Sequence, residues 1–164
     1  MLAARVDMLQ QMPIFGGISA DTLEFLLEPA PIVEVPTGDF FFREGDPPHG
    51  MFVLEAGSVI VFKSWKGRNL LLHQLKQGDC FGEMSLLDLS PRSASVRAGA
   101  PCTAVALTPA NLYRLYEHNT AQFALIQMNI GREISRRLRL VDELLFRARM
   151  GGAPADQALV LPST

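Results

Sequence analysis

Along residues 1–30 the apolar positions recur at helical spacing. Leu9, Met12, Ile14 and Phe15 are followed by Leu23, Phe25, Leu26 and Leu27, with Ser19 or Asp21 placed to cap a helix and Pro29 and Pro31 closing the stretch. From 31 to 108 the period changes. Short apolar runs at 40–42, 51–54, 59–62, 70–75 and 102–107 alternate with the turn signals Gly38-Asp39, Gly45-Asp46, Gly57-Ser58, Lys66-Gly67 and Gly78-Asp79. Strands this short, broken roughly every 7–12 residues, predict an all-β sandwich or barrel. Pro36, Pro47, Pro48, Pro91 and Pro101 sit at the joints, where a missing backbone N–H does little harm. From Pro109 to about Met150 the pattern is helical again. Phe123, Ile126 and Ile130 lead into Ile134, Leu138, Val141 and Leu145, which are spaced 4, 3 and 4, as along the seam of a helix pair. Arg132, Arg136, Arg137 and Arg139 fall on other faces. Two readings fit this seam: a homodimer through 134–145, or a helix packed on its own domain. The fold class is therefore mainly β with flanking helices, organised as one domain over 1–150, followed by a tail (151–164) of small residues expected to be disordered.

Composition narrows the function classes. In 164 residues, 48% apolar content suffices for a packed core, and a net charge of −2 gives no reason to expect a nucleic-acid partner. The N-terminus lacks the apolar core of a signal peptide and no run of about 20 apolar residues occurs, so a cytoplasmic chain with no membrane partner is expected. Cys80 and Cys102 form no CxxC pair and read as free thiols. His49, His73 and His118 are scattered. No metal site, cofactor or Ser/His/Asp arrangement emerges, and no enzyme is expected.

The informative stretch is Gly78 to Val96. A strand ends at Gly82, and then come Glu83, a short apolar turn from Met84 to Leu87, Pro91 and Arg92. Glycine allows close approach of backbone to a ligand. The turn that follows begins with unpaired N–H groups, suited to an anion. Arg92 adds a planar donor fork for two phosphate oxygens. Glu83, acceptor-only, would serve hydroxyls of the same ligand, such as a ribose 2′-OH. Phosphate beside ribose describes a nucleotide. A plainer reading fits the same residues: Glu83 and Arg92 pair with each other on the surface and Gly82 is only a turn.

Phe81-Gly82-Glu83, followed by Pro91-Arg92-Ser93-Ala94, resembles the phosphate-binding cassette of the cyclic-nucleotide-binding domain family. Gly38-Asp39, Glu44-Gly45-Asp46, Met51-Phe52-Val53-Leu54 and Gly57-Ser58-Val59 are similar to that family's upstream pieces, and the resemblance covers about 13–148. It implies a β jelly roll with N-terminal helices and a long C-terminal helix, the ligand lying between roll and helix. It further implies that Gly82 and Glu83 hold the ribose and that Arg92 with Ser93 binds the cyclic phosphate, with Phe81, Met84, Ser85 and Ala94 of the same cassette also at the ligand. Val61, Leu72 and Leu75 would wall the base or simply fill core, and Arg137 would reach Glu83 or stand solvated on its helix.

The implied activity is that of a receptor for cAMP, with cGMP second, which signals to a partner protein. The alternative is a nucleotide-free dimerisation module that has lost its ligand. The tail after the long helix is too short for the helix-turn-helix of the family's transcription factors, so their DNA binding is not expected. Ser93 fits cAMP, yet its hydroxyl also suits a guanine amino group. Asp142 falls near the purine and could accept from guanine N1–H and N2–H, or could be solvated on the helix surface.

Overall fold

The computed structural model describes residues 2–151; the 152–164 part of the expected tail lies outside the described residues. The N-terminal stretch folds as α1 (Leu2–Gln10), a single 3-10 turn (Pro13–Phe15) and α2 (Ala20–Leu27). Ser19, rather than Asp21, caps α2: its hydroxyl accepts from the Thr22 N–H at 3.3 Å, while Asp21 adds negative charge to the first turn.

The central stretch forms β1 (Ile32–Val35), β2 (Phe40–Phe42), β3 (Met51–Ala56), β4 (Ser58–Trp65), β5 (Arg68–Lys76) and β6 (Cys80–Phe81). The six-residue helix α3 (Glu83–Asp88) leads from there to β7 (Ser95–Ala98) and β8 (Cys102–Leu107). Two antiparallel four-stranded sheets result, in the orders β1-β8-β3-β6 and β2-β7-β4-β5. Chain-distant strands lie side by side in each sheet, as in a jelly roll.

Alternation along the strands sorts two cores. Leu54, Val59, Phe81, Val96, Ala98, Cys102 and Ala104 fill the space inside the roll. Met51, Val53, Val105 and Leu107 turn the other way and meet Leu9, Phe15, Leu23 and Leu26 from the N-terminal helices.

Two further helices complete that second core. α4 (Pro109–His118) starts with a capping box, in which the Thr108 hydroxyl accepts from Asn111 N–H and the Asn111 carboxamide oxygen accepts from Thr108 N–H. α5 (Thr120–Gly151) runs for 32 residues. Its first half buries Ile126 and Ile130 in the helical core. Asn129 fixes it there by donating to the carbonyls of Ile14 (3.3 Å) and Gly16 (2.9 Å). Between Glu133 and Val141 α5 forms one wall of a cavity. No helix of the described residues is long and apolar enough to cross a membrane.

Candidate functional site

A cavity of about 490 Å³ lies between the β2-β7-β4-β5 sheet, α3 and α5. It brings together Val61, Leu72, Leu75, Phe81, Gly82, Glu83, Met84, Ser85, Arg92, Ser93, Ala94 and Arg137. These are all the residues singled out in the sequence except Asp142.

Gly82 occupies the turn from β6 into α3 with φ +82°, and a Cβ there would stand 2.7 Å from Arg92 Nη1 and 3.2 Å from the Gly50 carbonyl oxygen. The position needs glycine both for its conformation and for that approach. Arg92 is 3% exposed. Its Nη1 donates to the Gly82 carbonyl at 3.2 Å, its guanidinium lies 4.0 Å from the Phe42 ring centroid, and its Nε is buried without a partner. The neighbouring chain holds it in place. Arg92 N–H donates to the Asp46 carbonyl at 2.9 Å, and its own carbonyl accepts from Gly45 N–H at 2.8 Å. Burial lowers the proton affinity of this guanidinium, opposed by the nearby charges of Asp46 and Glu83.

Glu83 is 3% exposed and accepts from Arg137 of α5. The surface pairing of Glu83 with Arg92 is thereby overturned: both side chains are buried, and the arginine that pairs with Glu83 comes from α5. Behind this clasp lies Glu133, 8% exposed, which accepts from Arg136 at 2.6 Å and stands 3.7 Å from Arg137 Nε. His73 lines the same cavity, and its imidazole titrates below 6.5 because of burial first and the Arg137 charge second. Cys80 is buried and free, its thiol pushed up to about 12 by burial and then by Glu83. Cys102 is likewise buried and free.

The apolar wall comes from both sides. Val61 pairs with His73 and Phe62 with Leu71, so Leu72 is the extra residue of a β-bulge. That bulge lets Leu72 and His73 both reach the cavity, beside Leu75 and Val96. Opposite them stand Ile134, Leu138, Leu140 and Val141 of α5. The helical seam therefore divides: Ile134, Leu138 and Val141 face the cavity of their own chain, while Leu145, 48% exposed, lies beyond it.

Asp142 is exposed and is not among the residues that line the cavity. Sequence reasoning missed Phe42, His73, Asp79, Glu133 and Arg136, all of which do. The four-residue spacing of Glu133 and Arg137 was a usable signal for their ion pair. Nothing local marked Phe42 or His73.

The sequence matches the family model described as Cyclic nucleotide-binding domain over residues 32–119. The cAMP-dependent protein kinase regulatory subunit of Emericella nidulans is 32% identical over 90 residues, 55% of this chain and 21% of the relative. The Cyclic AMP receptor protein of Thermus thermophilus is 30% identical over 135 residues, 79% of this chain and 59% of the relative. The crystal structure of the Thermus thermophilus catabolite activator protein superposes with a TM-score of 0.73 at 30% identity, covering 81% of this chain and 61% of that one. The chain thus spans about a fifth of the length of the fungal subunit and about three fifths of the bacterial protein.

Proposed function

This chain belongs to the cyclic nucleotide-binding domain family, and from that premise we propose that its cavity receives a cyclic purine nucleotide, cAMP in preference to cGMP. Arg92 carries the proposal. It is a buried guanidinium with no ion pair among the described residues and an unpartnered Nε, and its side chain reaches Gly82, the N-cap of α3, beyond which the first backbone N–H groups lack intrahelical partners. A cyclic phosphate meets both needs, and Ser93 and Ala94 line the cavity beside it. Glu83 takes the ribose 2′-OH, with Gly82, Met84 and Ser85 around the sugar and Phe81 behind them. Val61, Leu72 and Leu75 take one side of the base. Leu138 and Val141 cover the other.

The choice of adenine rests on α5. A carboxylate there would suit guanine N1–H and N2–H, and Asp142, the candidate acceptor, is exposed and is not among the residues lining the cavity.

We further propose that the chain is a cytoplasmic regulator without catalysis of its own, acting through a partner protein. Relatives named as kinase regulatory subunits and receptor proteins support this reading. Pairing with a second copy along α5 is supported by exposed Leu145 and Phe146, which lie beyond the cavity.

Titration calorimetry tests the ligand assignment directly. The wild-type protein is expected to bind cAMP more tightly than cGMP, and 2′-deoxy-cAMP more weakly than either. Equal affinity for cAMP and its 2′-deoxy form would remove Glu83 from the ribose. No binding of any of the three would favour the nucleotide-free dimerisation module instead.

A further inference from the structure

We propose that the tip of the β4–β5 ribbon docks on the surface of an anionic lipid bilayer. β7 pairs with β4 only over Val59–Phe62, so the segment from Lys63 to Leu70 projects beyond the sheet as two strands paired only with each other. The pairs Lys63 with Leu70 and Trp65 with Arg68 lie directly across the ribbon. Directly paired residues, and residues two apart on one strand, share a face. Lys63, Trp65, Arg68 and Leu70 therefore form one surface, and the two-residue turn Lys66-Gly67 brings the Lys66 ammonium to 4.4 Å from the Trp65 ring. Trp65 is 72% exposed and Leu70 44%.

Charge selects the occupant. No Asp or Glu occurs between Glu55 and Asp79, while Lys63, Lys66, Arg68 and Lys76 all lie there, in a chain whose net charge is −2. Of these, Lys63 has a local counter-charge, Glu44 at 3.1 Å. An exposed indole with an aliphatic neighbour and surrounding cations matches the interface of a membrane, where the ring sits at headgroup level and basic side chains meet anionic lipid. A nucleic acid strand fits less well. Proteins that track such strands use a charged groove with stacking platforms, whereas this surface is a convex tip carrying an aliphatic side chain. The expectation of no membrane partner concerned a spanning segment, and a surface contact needs none. Nor does it depend on the nucleotide assignment, because the tip lies outside the cavity.

Trp65 is the only tryptophan of the 164 residues, so its emission reports the contact with the whole chain unmodified. Vesicles of phosphatidylcholine with about 30% phosphatidylserine are expected to shift that emission to shorter wavelength, and vesicles of phosphatidylcholine alone are not. Each basic side chain near an anionic surface is worth about fivefold in partitioning, so Lys66→Gln combined with Arg68→Gln should lower it about thirtyfold. The same variant should melt and bind nucleotide as the wild type does. An unshifted emission with anionic vesicles would overturn the proposal, as would equal partitioning to neutral ones or a double variant that partitions normally. Quenching by single-stranded DNA without any response to vesicles would overturn it in favour of a nucleic-acid contact.

Discussion

Replacing Gly82 by alanine probes the joint between the roll and the arginine at its centre. Two costs arise, and a second glycine separates them. A non-glycine residue held at positive φ costs about 1–3 kcal/mol. That cost alone applies to Gly38→Ala, because Gly38 has φ +90° and nothing within 4 Å of its would-be Cβ. At Gly82 the methyl also stands 2.7 Å from Arg92 Nη1, with the Gly50 carbonyl at 3.2 Å on the other side. The guanidinium must yield. It then loses its bond to the Gly82 carbonyl, and a hydrogen bond to a charged group is worth about 1.5–3 kcal/mol. For a chain of this size each kcal/mol lowers Tm by about 2–4 °C. Gly38→Ala should therefore lower Tm by roughly 2–12 °C and leave nucleotide affinity unchanged. Gly82→Ala should melt several degrees lower still and bind cAMP at least about tenfold more weakly. Differential scanning fluorimetry and calorimetry on the two variants suffice. Equal losses of Tm with unchanged affinity in both would refute the packing of Gly82 against Arg92.

Arg137→Ala should still bind cAMP, several-fold more weakly, but lose the ligand-dependent protection of residues 134–148 in hydrogen exchange; equal protection in both proteins would show that the Glu83–Arg137 clasp carries no coupling. The folded state holds His73 below its ordinary 6.5, so below that pH the unfolded chain binds more protons and stability falls as pH drops. His73→Gln should flatten this loss of Tm as pH falls through 6.5, and an unchanged pH profile would count against the buried imidazole. Leu145→Glu with Phe146→Glu places like charges along α5 beyond the cavity and should leave monomers in sedimentation; a wild-type monomer at tens of micromolar would defeat the proposed pairing.

Legibility followed the range of the signal. The cassette is contiguous, so Gly82, Glu83 and Arg92 were readable together, and the structure brings them to one cavity. The five apolar runs matched β2, β3, β4, β5 and β8. Two strands escaped notice, for local reasons. β1 is four residues between two prolines, and β7 reads Ser-Val-Arg-Ala, with a single strong strand former. Partners were the harder question. The spacing of Ile134, Leu138 and Val141 describes an apolar stripe but not what covers it, and a cavity wall uses the same spacing as a dimer seam. Asp142 is exposed and outside the cavity lining, a detail of side-chain placement that a resemblance in the cassette does not fix. Phe42 reaches Arg92 only through the pairing of β2 with β7, which no local pattern encodes.

The most direct test of the account is calorimetry with cAMP on the wild-type protein and on Arg92→Ala. The Arg92 backbone bonds to Gly45 and Asp46 do not involve the side chain, so the fold should persist and its melting transition should remain cooperative. Loss of a charge-assisted contact to the phosphate is worth about 1.5–3 kcal/mol per bond. The account predicts tight binding by the wild type and an affinity at least about tenfold to a hundredfold weaker in the variant. A folded Arg92→Ala protein that binds cAMP with the wild-type dissociation constant would contradict it.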